Sequence, residues 1–365
     1  MSASVLEAPA APTAAAAAPP AEPPMVELRG VSRRFSKTLD LAGRVAARLG
    51  APLRGEVVRA VDDVDLVVRR GEVVGLVGES GCGKSTLGRI AVGLLPPSEG
   101  AVLWRGRDRA ALRGREAREA QLRAQMVFQD PYASLNPRMR VADIVGEAPL
   151  VHGLVARRDL DAYVDEGLRR AGLDPSLKRR YPHQFSGGQR QRIGIARALA
   201  VRPDLVVCDE AVAALDVSIQ AQVINLFMRL RRELDLTYLF ISHDLGVVEH
   251  VSDRVVVMYL GRVVEEAPAE ALFARPNHPY TRSLLASVPR VEAGRRRAFE
   301  PVRGEIPSPL DPPPGCHFHP RCPHAFGRCR AEVPALKPVA PGGHRSRCHL
   351  NDEPPTTATP AGATA

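Results

Sequence analysis

The stretch from Gly78 to Thr86 most constrains what this chain can fold into, because it reads Gly-Glu-Ser-Gly-Cys-Gly-Lys-Ser-Thr. An apolar run, Val73 to Val77, precedes it, and apolar residues follow it at helical spacing through Leu95. A strand, a glycine-rich turn and a helix in this order predict a phosphate-binding loop, whose backbone N–H groups and helix N-terminus attract an anion. Lys84 is expected to reach terminal phosphates, and Ser85 to ligate Mg²⁺.

Composition narrows the class of protein. The 365 residues carry a formal net charge of +9, and only four of the 50 basic residues are lysine. Because the arginines are scattered rather than interleaved with aromatic residues, solvated surfaces explain them and no nucleic-acid partner is predicted. No apolar run approaches the roughly 20 residues that a membrane span needs.

Both ends of the chain are predicted to be disordered tails. Residues 1–24 are rich in Ala and Pro and nearly uncharged, without the basic start or the leucine-type centre of a signal peptide. Residues 354–365 follow a segment rich in Pro, Arg and Cys and form the second predicted tail. The folded part should therefore lie between these two tails.

The apolar pattern between the tails predicts an α/β fold with a mixed or parallel core sheet. Asp216 to Leu234 carries apolar residues at helical spacing and should be the crossover helix between two buried strands. Residues 115–181 show mostly helical periodicity and predict a helical subdomain. Short, fully apolar runs predict the buried parallel strands Val73 to Val77, Leu205 to Cys208 and Tyr238 to Ile241.

A second, smaller sheet is predicted around the phosphate loop. Three alternating segments indicate short antiparallel strands: Met25 to Val31, Val61 to Val68 and Ala101 to Arg105. An insertion rich in Arg, Leu and Gly, residues 36–57, separates the first two of them. These strands should form an antiparallel β-subdomain.

Polar residues at strand ends supply the predicted chemistry. Asp209 and Glu210 end an apolar strand, so Asp209 should hold the Mg²⁺ shell while Glu210 deprotonates the attacking water. His243 ends the next strand, where open α/β sheets place ligand contacts, and is expected to hydrogen-bond the terminal phosphate. Gln129 ends another short apolar run and is a candidate ligand of Mg²⁺ or water.

A second anion site is predicted where Ser186-Gly187-Gly188-Gln189 opens a helix rich in Ile, Ala and Leu. A Ser-Gly-Gly turn alone is most often a simple helix cap. An acidic strand end follows it closely along the chain, however, and this strengthens the interpretation as a nucleotide contact.

Taken in order, these motifs resemble those of an ABC transporter ATPase, a P-loop NTPase, over about Met25 to Val264. The resemblance implies a sandwich of two ATPase subunits around two ATP molecules, in which Ser186 and its neighbours act on the partner's γ-phosphate. It also implies that Ala214-Leu215-Asp216 is the D-loop and that Phe35 stacks on adenine. The residues so assigned to ATP are Phe35, Gly78, Glu79, Ser80, Gly81, Cys82, Gly83, Lys84, Ser85, Thr86, Gln129, Ser186, Gly187, Gly188 and Gln189, with Glu210 and His243 catalytic and Ser85, Gln129 and Asp209 holding Mg²⁺.

The phosphate loop, read on to Gly88, resembles that of the second, F-type ATPase of the pair found in the oligopeptide/dipeptide permease branch, and three further segments resemble the same branch. They are Asp130 to Pro137, His278 to Leu285 and the cysteine-containing stretch from Gly315 to Pro323. The resemblance divides the chain into an ATPase domain, 25–267, and a Cys-rich C-terminal extension, 268–353. Ala211 and Ala213 depart from it, since they replace a usual Pro and the usual D-loop Ser.

Membership of this branch would imply an ATPase that powers peptide import from the cytoplasmic face of the membrane. The implied partners are a like or unlike second ATPase subunit, two membrane permease subunits and an extracytoplasmic peptide-binding protein. Nickel, a sugar or another small solute stays open as the cargo. A soluble ABC ATPase acting on nucleic acid or ribosomes is the rival, disfavoured by a single phosphate loop and the absence of sustained heptads.

Four of the six cysteines lie in the C-terminal extension with the spacing C-x₅-C-x₆-C-x₁₈-C. In a chain without an export signal, a metal or cluster site competes with disulfides. Irregular spacing fits zinc poorly, whereas iron–sulfur clusters tolerate it, and the resemblance also implies a 4Fe–4S cluster. Zinc completed by a histidine and four unligated thiols stay open as alternatives. The cluster ligands would be Cys316, Cys322, Cys329 and Cys348.

Overall fold

The computed structural model of the chain describes residues 22–36, 57–213, 215–287 and 304–352. Most of the two predicted tails, the insertion at 37–56 and Ala214 of the predicted D-loop lie outside these ranges. Within the described ranges, no helix combines the length and the apolar content that crossing a bilayer requires.

The described residues form twelve strands and eleven α-helices. The strands are β1 (Val26–Ser36), β2 (Val57–Val68), β3 (Val73–Val77), β4 (Glu99–Trp104), β5 (Arg107–Asp108), β6 (Ala124–Val127), β7 (Leu205–Asp209), β8 (Thr237–Ile241), β9 (Arg254–Tyr259), β10 (Arg262–Pro268), β11 (Lys337–Ala340) and β12 (His344–Ser346). The helices are α1 (Lys84–Ala91), α2 (Gly114–Arg123), α3 (Pro131–Ser134), α4 (Val141–Val151), α5 (Leu160–Arg170), α6 (Gly187–Leu199), α7 (Val217–Leu234), α8 (Leu245–Val251), α9 (Ala269–Ala274), α10 (Pro279–Ala286) and α11 (Gly327–Ala331).

The main sheet has eight strands in the order β11-β12-β10-β9-β3-β8-β7-β6. Its centre is parallel, because β3 pairs with β8 and β9 while β7 pairs with β6 and β8 in the same direction. Strands β3, β7 and β8 are buried at every residue, as expected for strands covered on both faces. Helix α7 connects β7 to β8, which confirms the predicted crossover helix.

The smaller sheet is antiparallel, in the order β2-β1-β4-β5. Alternate residues of β1, such as Val26 and Leu28, are fully buried and pack in one core with Leu76 and Leu87 of the phosphate-loop unit. The sheet therefore lies against β3 and α1, and the predicted α/β fold with a separate antiparallel sheet is confirmed.

The helix after the phosphate loop is shorter than its apolar pattern predicts. Helix α1 ends at Ala91, four residues before Leu95. Gly93 takes a left-handed φ of 75°, and its N–H donates to the carbonyl of Ile90, which closes the helix end. Beyond it, Leu95 packs against the core without continuing the helix, whereas Leu94 is half exposed.

The region 115–181, predicted as helical, is interrupted by a strand. Residues Ala124–Val127 form β6, the last strand of the main sheet, which pairs in parallel with β7. Four residues are too few to distinguish a strand from a helix by the period of their apolar positions. Helices α4, α5 and α6 then pack around a core of their own that includes Ile144, Leu168 and Ile193.

The C-terminal residues 304–352, which we call the cysteine segment, extend the main sheet. Strand β12 pairs with β10 through Glu265 and Glu266, and β11 pairs with β12. The predicted boundary at 267/268 therefore does not separate two independent sheets. These strands are only four and three residues long and lack an apolar alternation, so nothing in the sequence pattern indicated them.

Candidate functional site

The phosphate loop follows β3 and requires glycine at two positions. Gly78 has a φ of 152° and Gly83 a φ of 104°, which is the N-cap of α1. A Cβ atom at Gly78 would lie 2.2 Å from the carbonyl oxygen of Met258, and one at Gly83 would lie 2.0 Å from that of Ala60. The loop is therefore folded tightly against β9 and β2, with its backbone forming the turn that the motif predicts.

Lys84 occupies the interior of this turn. Its ammonium is buried, and Nζ donates to the carbonyl oxygens of Gly78 at 2.7 Å and Glu79 at 2.9 Å. A buried charge needs such partners, since desolvation without them is costly. Terminal phosphates offer stronger acceptors than these carbonyls, so Lys84 is placed where the motif predicts a phosphate contact.

Ser85 and Asp209 meet at the ends of neighbouring elements. Ser85 lies in the first turn of α1 and Asp209 ends β7, and the Ser85 hydroxyl donates to Asp209 Oδ1 at 2.7 Å. Burial raises the pKa of Asp209, and the hydrogen bond from Ser85 opposes that rise. A hydroxyl and a carboxylate beside a phosphate loop are oxygen donors of the kind that Mg²⁺ takes, so the donor set fits this ion.

Glu210 lies within reach of the two other predicted strand-end residues. Gln129 Nε2 donates to Glu210 Oε2 at 2.8 Å, and His243 Nδ1 lies 3.3 Å from the same oxygen. Glu210 adopts a left-handed φ of 47°, a conformation costing about 1 kcal/mol for a residue with a side chain. Its N–H donates to the carbonyl of Ile241 at 3.0 Å, which ties this conformation to the end of β8.

The Ser-Gly-Gly turn caps helix α6. Ser186 Oγ accepts from the Gln189 N–H at 3.3 Å, and Gln189 Oε1 accepts from the Ser186 N–H at 3.0 Å. Both residues are exposed, so this 13-residue helix presents its N-terminus to solvent. A Cβ at Gly188 would lie 2.4 Å from Ile219 Cγ2, which explains why the second glycine permits close packing of α6 on α7.

A cleft of about 660 Å³ lies beside the phosphate loop, and its lining includes Ser85, Gln129 and Asp209. Neither the Ser186 turn nor Phe35 lines this cleft. Phe35 is the second-last residue of β1, is 40% exposed, and has the Arg33 guanidinium 4.9 Å from its ring centroid. The structure thus brings together residues of four predicted motifs and leaves the Ser186–Gln189 turn and Phe35 apart from them. The residues brought together are Ser85, Gln129, the pair Asp209 and Glu210, and His243.

The four C-terminal cysteines line one small cavity, together with His278 and Phe318. All four are free thiols in this structure. In the described part of the chain, however, no group of three or more His, Cys, Asp or Glu side chains is arranged to hold a metal ion. The predicted cluster ligands therefore share a cavity without forming a ligand set.

Burial also affects the ionisation of these thiols. Burial raises the pKa of Cys316 to about 11 and that of Cys348 to about 12, and it also raises the pKa of Cys322. Thiolate is the metal-binding form, so binding would have to displace their protons.

Two residues of the site were missed from the sequence. Arg321 donates to both oxygens of Glu79, at 2.7 and 2.9 Å, and the Tyr280 hydroxyl accepts from the Glu79 N–H at 2.9 Å. Arg321 lies 242 positions from Glu79, and no periodicity or spacing links them. The chain therefore places a residue of the cysteine segment directly on the phosphate loop.

Comparison with known proteins assigns the class. A family model described as ABC transporter matches residues 61–213. The solved dimeric structure of the ATP-binding cassette MJ0796 in a post-hydrolysis state, bound to ADP and Pi, matches with a TM-score of 0.56 and 28% identity, covering 67% of this chain and 99% of that one. The structure of cbiO1 from Clostridium perfringens, part of the transporter complex cbiONQ, matches with a TM-score of 0.56 and 26% identity, covering 70% and 92%. The fold and the site define an ABC ATPase.

A second family model, the C-terminal region of oligopeptide/dipeptide transporters, matches residues 264–329. The probable peptide ABC transporter ATP-binding protein y4tS of Sinorhizobium fredii is 53% identical over 294 residues, which cover 80% of this chain and 83% of that protein. The oligopeptide transport ATP-binding protein AppF of Bacillus subtilis is 52% identical over 296 residues, covering 80% and 90%. The chain belongs to the ATP-binding proteins of the oligopeptide/dipeptide ABC transporter family, as its motifs predicted.

Proposed function

We propose that this chain is the ATP-hydrolysing subunit of an importer for di- and oligopeptides. One observation carries the proposal: Glu210 contacts both Gln129 and His243 at the strand end where Asp209 meets Ser85. A carboxylate held beside a phosphate loop is the arrangement that ATP hydrolysis requires. The printed names of the relatives, which describe peptide and oligopeptide transport, support the substrate class.

Each residue of this cluster has a role in hydrolysis. Lys84 exchanges the carbonyls of Gly78 and Glu79 for terminal phosphate oxygens. Glu210 accepts the proton of the water whose oxygen attacks the γ-phosphorus, while the bond from that phosphorus to the leaving ADP oxygen breaks. His243 and Gln129 hold Glu210 in position and contact the phosphate and the water.

Ser85, Gln129 and Asp209 would hold Mg²⁺, which supplies charge neutralisation on the phosphates when it is bound. Gln129 would reach it through Oε1, because its hydrogen bond to Glu210 uses only Nε2 of the same amide. One side chain could therefore hold the ion and contact Glu210 at the same time.

The catalytic site is completed by a second ATPase subunit. Ser186, Gly187, Gly188 and Gln189 form an exposed helix N-terminus that is not part of the cleft of their own chain. An exposed helix N-terminus attracts anions, so a partner's γ-phosphate is a suitable ligand. The proposed assembly is a dimer, like or unlike, in which each chain contributes half of two sites.

The dimer would act at the cytoplasmic face of the membrane with two permease subunits and an extracytoplasmic peptide-binding protein. The experiment is to reconstitute the complete transporter in vesicles and to measure ATP hydrolysis with the binding protein, with and without a tripeptide. Hydrolysis should rise with the tripeptide. Stimulation by Ni²⁺ or a sugar instead would reject the peptide, and stimulation by RNA of the chain alone would reject the importer.

For the cysteines we propose a structural 4Fe–4S cluster, supported by four thiols that line one cavity. Four thiolates are the usual ligand set of such a cluster, and irregular spacing along the chain is compatible with it. A zinc ion with one histidine is the competing occupant of the same cavity. The residues that would hold the cluster are Cys316, Cys322, Cys329 and Cys348.

A further inference from the structure

The cysteine segment contacts the phosphate loop at Glu79. Arg321 forms a two-pronged ion pair with the Glu79 carboxylate, with nitrogen–oxygen distances of 2.7 and 2.9 Å. The Tyr280 hydroxyl accepts the hydrogen bond of the Glu79 N–H at 2.9 Å. Both the side chain and the backbone of Glu79 are thus fixed by residues that follow the ATPase core in sequence.

An acidic residue in this position needs an explanation, because the loop is built to attract anions. The N–H groups, Lys84 and the helix N-terminus all favour negative charge. A free carboxylate on the second residue of the loop would oppose them by repelling the phosphates. Arg321 neutralises it in a largely buried setting, where the guanidinium is only 5% exposed and screening by water and salt is weak.

Arg321 is itself held by an aromatic cluster. It lies 5.8 Å from the ring centroid of Tyr259 and donates to the Tyr259 hydroxyl at 3.3 Å. The Tyr259 ring packs against Tyr280 at 4.7 Å and against Phe318 at 5.3 Å, and all three rings are buried. The guanidinium is therefore held in place for a carboxylate at this point and is not a mobile surface charge.

We propose that Arg321 is a positioning residue of the ATP site, which acts by neutralising and orienting Glu79 in the phosphate loop. The inference rests on the proposed function of this loop in binding ATP. The cysteine segment is then a part of the nucleotide site, and ATP affinity depends on a residue outside the ATPase motifs.

The test uses the full chain and measures equilibrium binding of Mg-ATP together with steady-state hydrolysis. Arg321→Gln should weaken ATP binding about 10- to 100-fold, the range for loss of one partner of a charge-assisted pair. KM for ATP should rise in parallel, while kcat at saturating ATP stays within about threefold, since Glu210 is untouched. Arg321→Lys keeps the charge without the fork geometry and should lie between wild type and Arg321→Gln.

The decisive measurement is ATP binding by the double variant that combines Arg321→Gln with Glu79→Gln. If Arg321 acts through the charge of Glu79, adding Glu79→Gln to Arg321→Gln should restore affinity to within about threefold of wild type. A merely structural loss would persist in the double variant, and this result would overturn the proposal. An Arg321→Gln variant that binds ATP as tightly as the wild type would also overturn the proposal. If Arg321→Gln does not fold, the double variant and Arg321→Lys decide.

Two controls separate this inference from the proposed function. Arg330→Gln removes an exposed arginine of the same segment and should leave ATP binding unchanged. Lys84→Ala should abolish binding whether or not Arg321 is present. If Lys84→Ala binds ATP normally, the phosphate loop is not the ATP site and the proposed function fails; if it abolishes binding while Arg321→Gln has no effect, only the inference fails.

Discussion

The phosphate loop and the cysteine segment rest on the same eight-stranded sheet but are built in different ways. The loop takes its donors from consecutive backbone groups between Gly78 and Lys84, and two of its glycines fill positions where no Cβ fits. The cysteine segment takes its contacts from side chains that are far apart in sequence and brought together by packing. A site made of backbone is encoded locally, whereas a site made of side chains depends on the whole fold.

Glu265 provides the most severe test of whether the cysteine segment is part of the sheet. Its carboxylate is fully buried, lies 2.7 Å from His344 Nε2, and accepts from the N–H groups of Asn277 and His278. Glu265→Ala should lower the free energy of unfolding by about 3–5 kcal/mol, because it leaves these partners buried without an acceptor. Denaturant unfolding of the full chain measures this loss.

Glu270→Ala is the matched control, since Glu270 is an exposed glutamate a few residues further along. It should change stability by less than about 1 kcal/mol. If Glu265→Ala is no more destabilising than this control, the cysteine segment is a loosely attached extension and the contrast between the two regions is wrong.

The colour and metal content of the protein distinguish an iron–sulfur cluster in the cysteine cavity from zinc or unligated thiols. Protein purified without oxygen should be brown and absorb at about 400 nm. Cys322→Ser should lose the colour and the iron because it removes one of four ligands. Cys82→Ser, in the phosphate loop, should keep both, and colourless anaerobic protein with one equivalent of zinc would contradict the cluster.

The turn formed by Ser186 to Gln189 differs from the phosphate loop in that it does not line the cleft of its own chain. Ser186→Arg should weaken ATP-driven dimerisation at least about tenfold, because it places a bulky cation where the partner's γ-phosphate and Lys84 would lie. Binding of ATP to the single chain should be unchanged. Analytical ultracentrifugation with ATP measures dimerisation, and calorimetry measures ATP binding to the single chain. An equal loss of single-chain binding would indicate a site formed within one chain.

The smallest effect concerns the hydroxyl of Tyr280, which accepts one neutral hydrogen bond from the phosphate loop, while the Tyr280 ring packs on Phe318 of the cysteine segment. Tyr280→Phe should reduce stability or ATP binding by about 0.5–1.5 kcal/mol, the usual contribution of such a bond. Tyr132→Phe removes a hydroxyl from a side chain that is 65% exposed and should have no measurable effect. A larger loss in Tyr280→Phe than in Arg321→Gln would reverse the ranking of the two contacts.

The sequence predicted the parts of this molecule whose signals are local. Strands β3, β7 and β8 and helix α7 follow from uninterrupted apolar runs and helical spacing, and the order of the motifs correctly indicated the family. The same pattern extended α1 to Leu95, because apolar spacing does not reveal that Gly93 turns left-handed. It also missed β9 and β10, although Val255 to Tyr259 is an uninterrupted apolar run. It missed β5, β6, β11 and β12 as well, which are too short or too polar to show a period.

The side-chain contacts of the site were predictable to different degrees. The meeting of Glu210 and His243 was foreseeable, since each follows a predicted parallel strand and neighbouring parallel strands end at one edge of a sheet. Gln129 joins them only because β6, a strand that the sequence did not reveal, precedes it. The pairing of Glu79 with Arg321 was not foreseeable, because only the packing of Tyr259, Tyr280 and Phe318 places that arginine. Long-range contacts of this kind require the folded structure.

Glu210 is the proposed general base of ATP hydrolysis, and the Glu210→Gln variant tests this role. Glu210→Gln keeps the size and the hydrogen-bonding capacity of the side chain but cannot accept the proton of the attacking water. In the assembled transporter, ATP affinity should be retained and the turnover rate should fall about 10²-fold or more, with accumulation of the closed dimer. A turnover rate close to that of the wild type would show that Glu210 is not the general base.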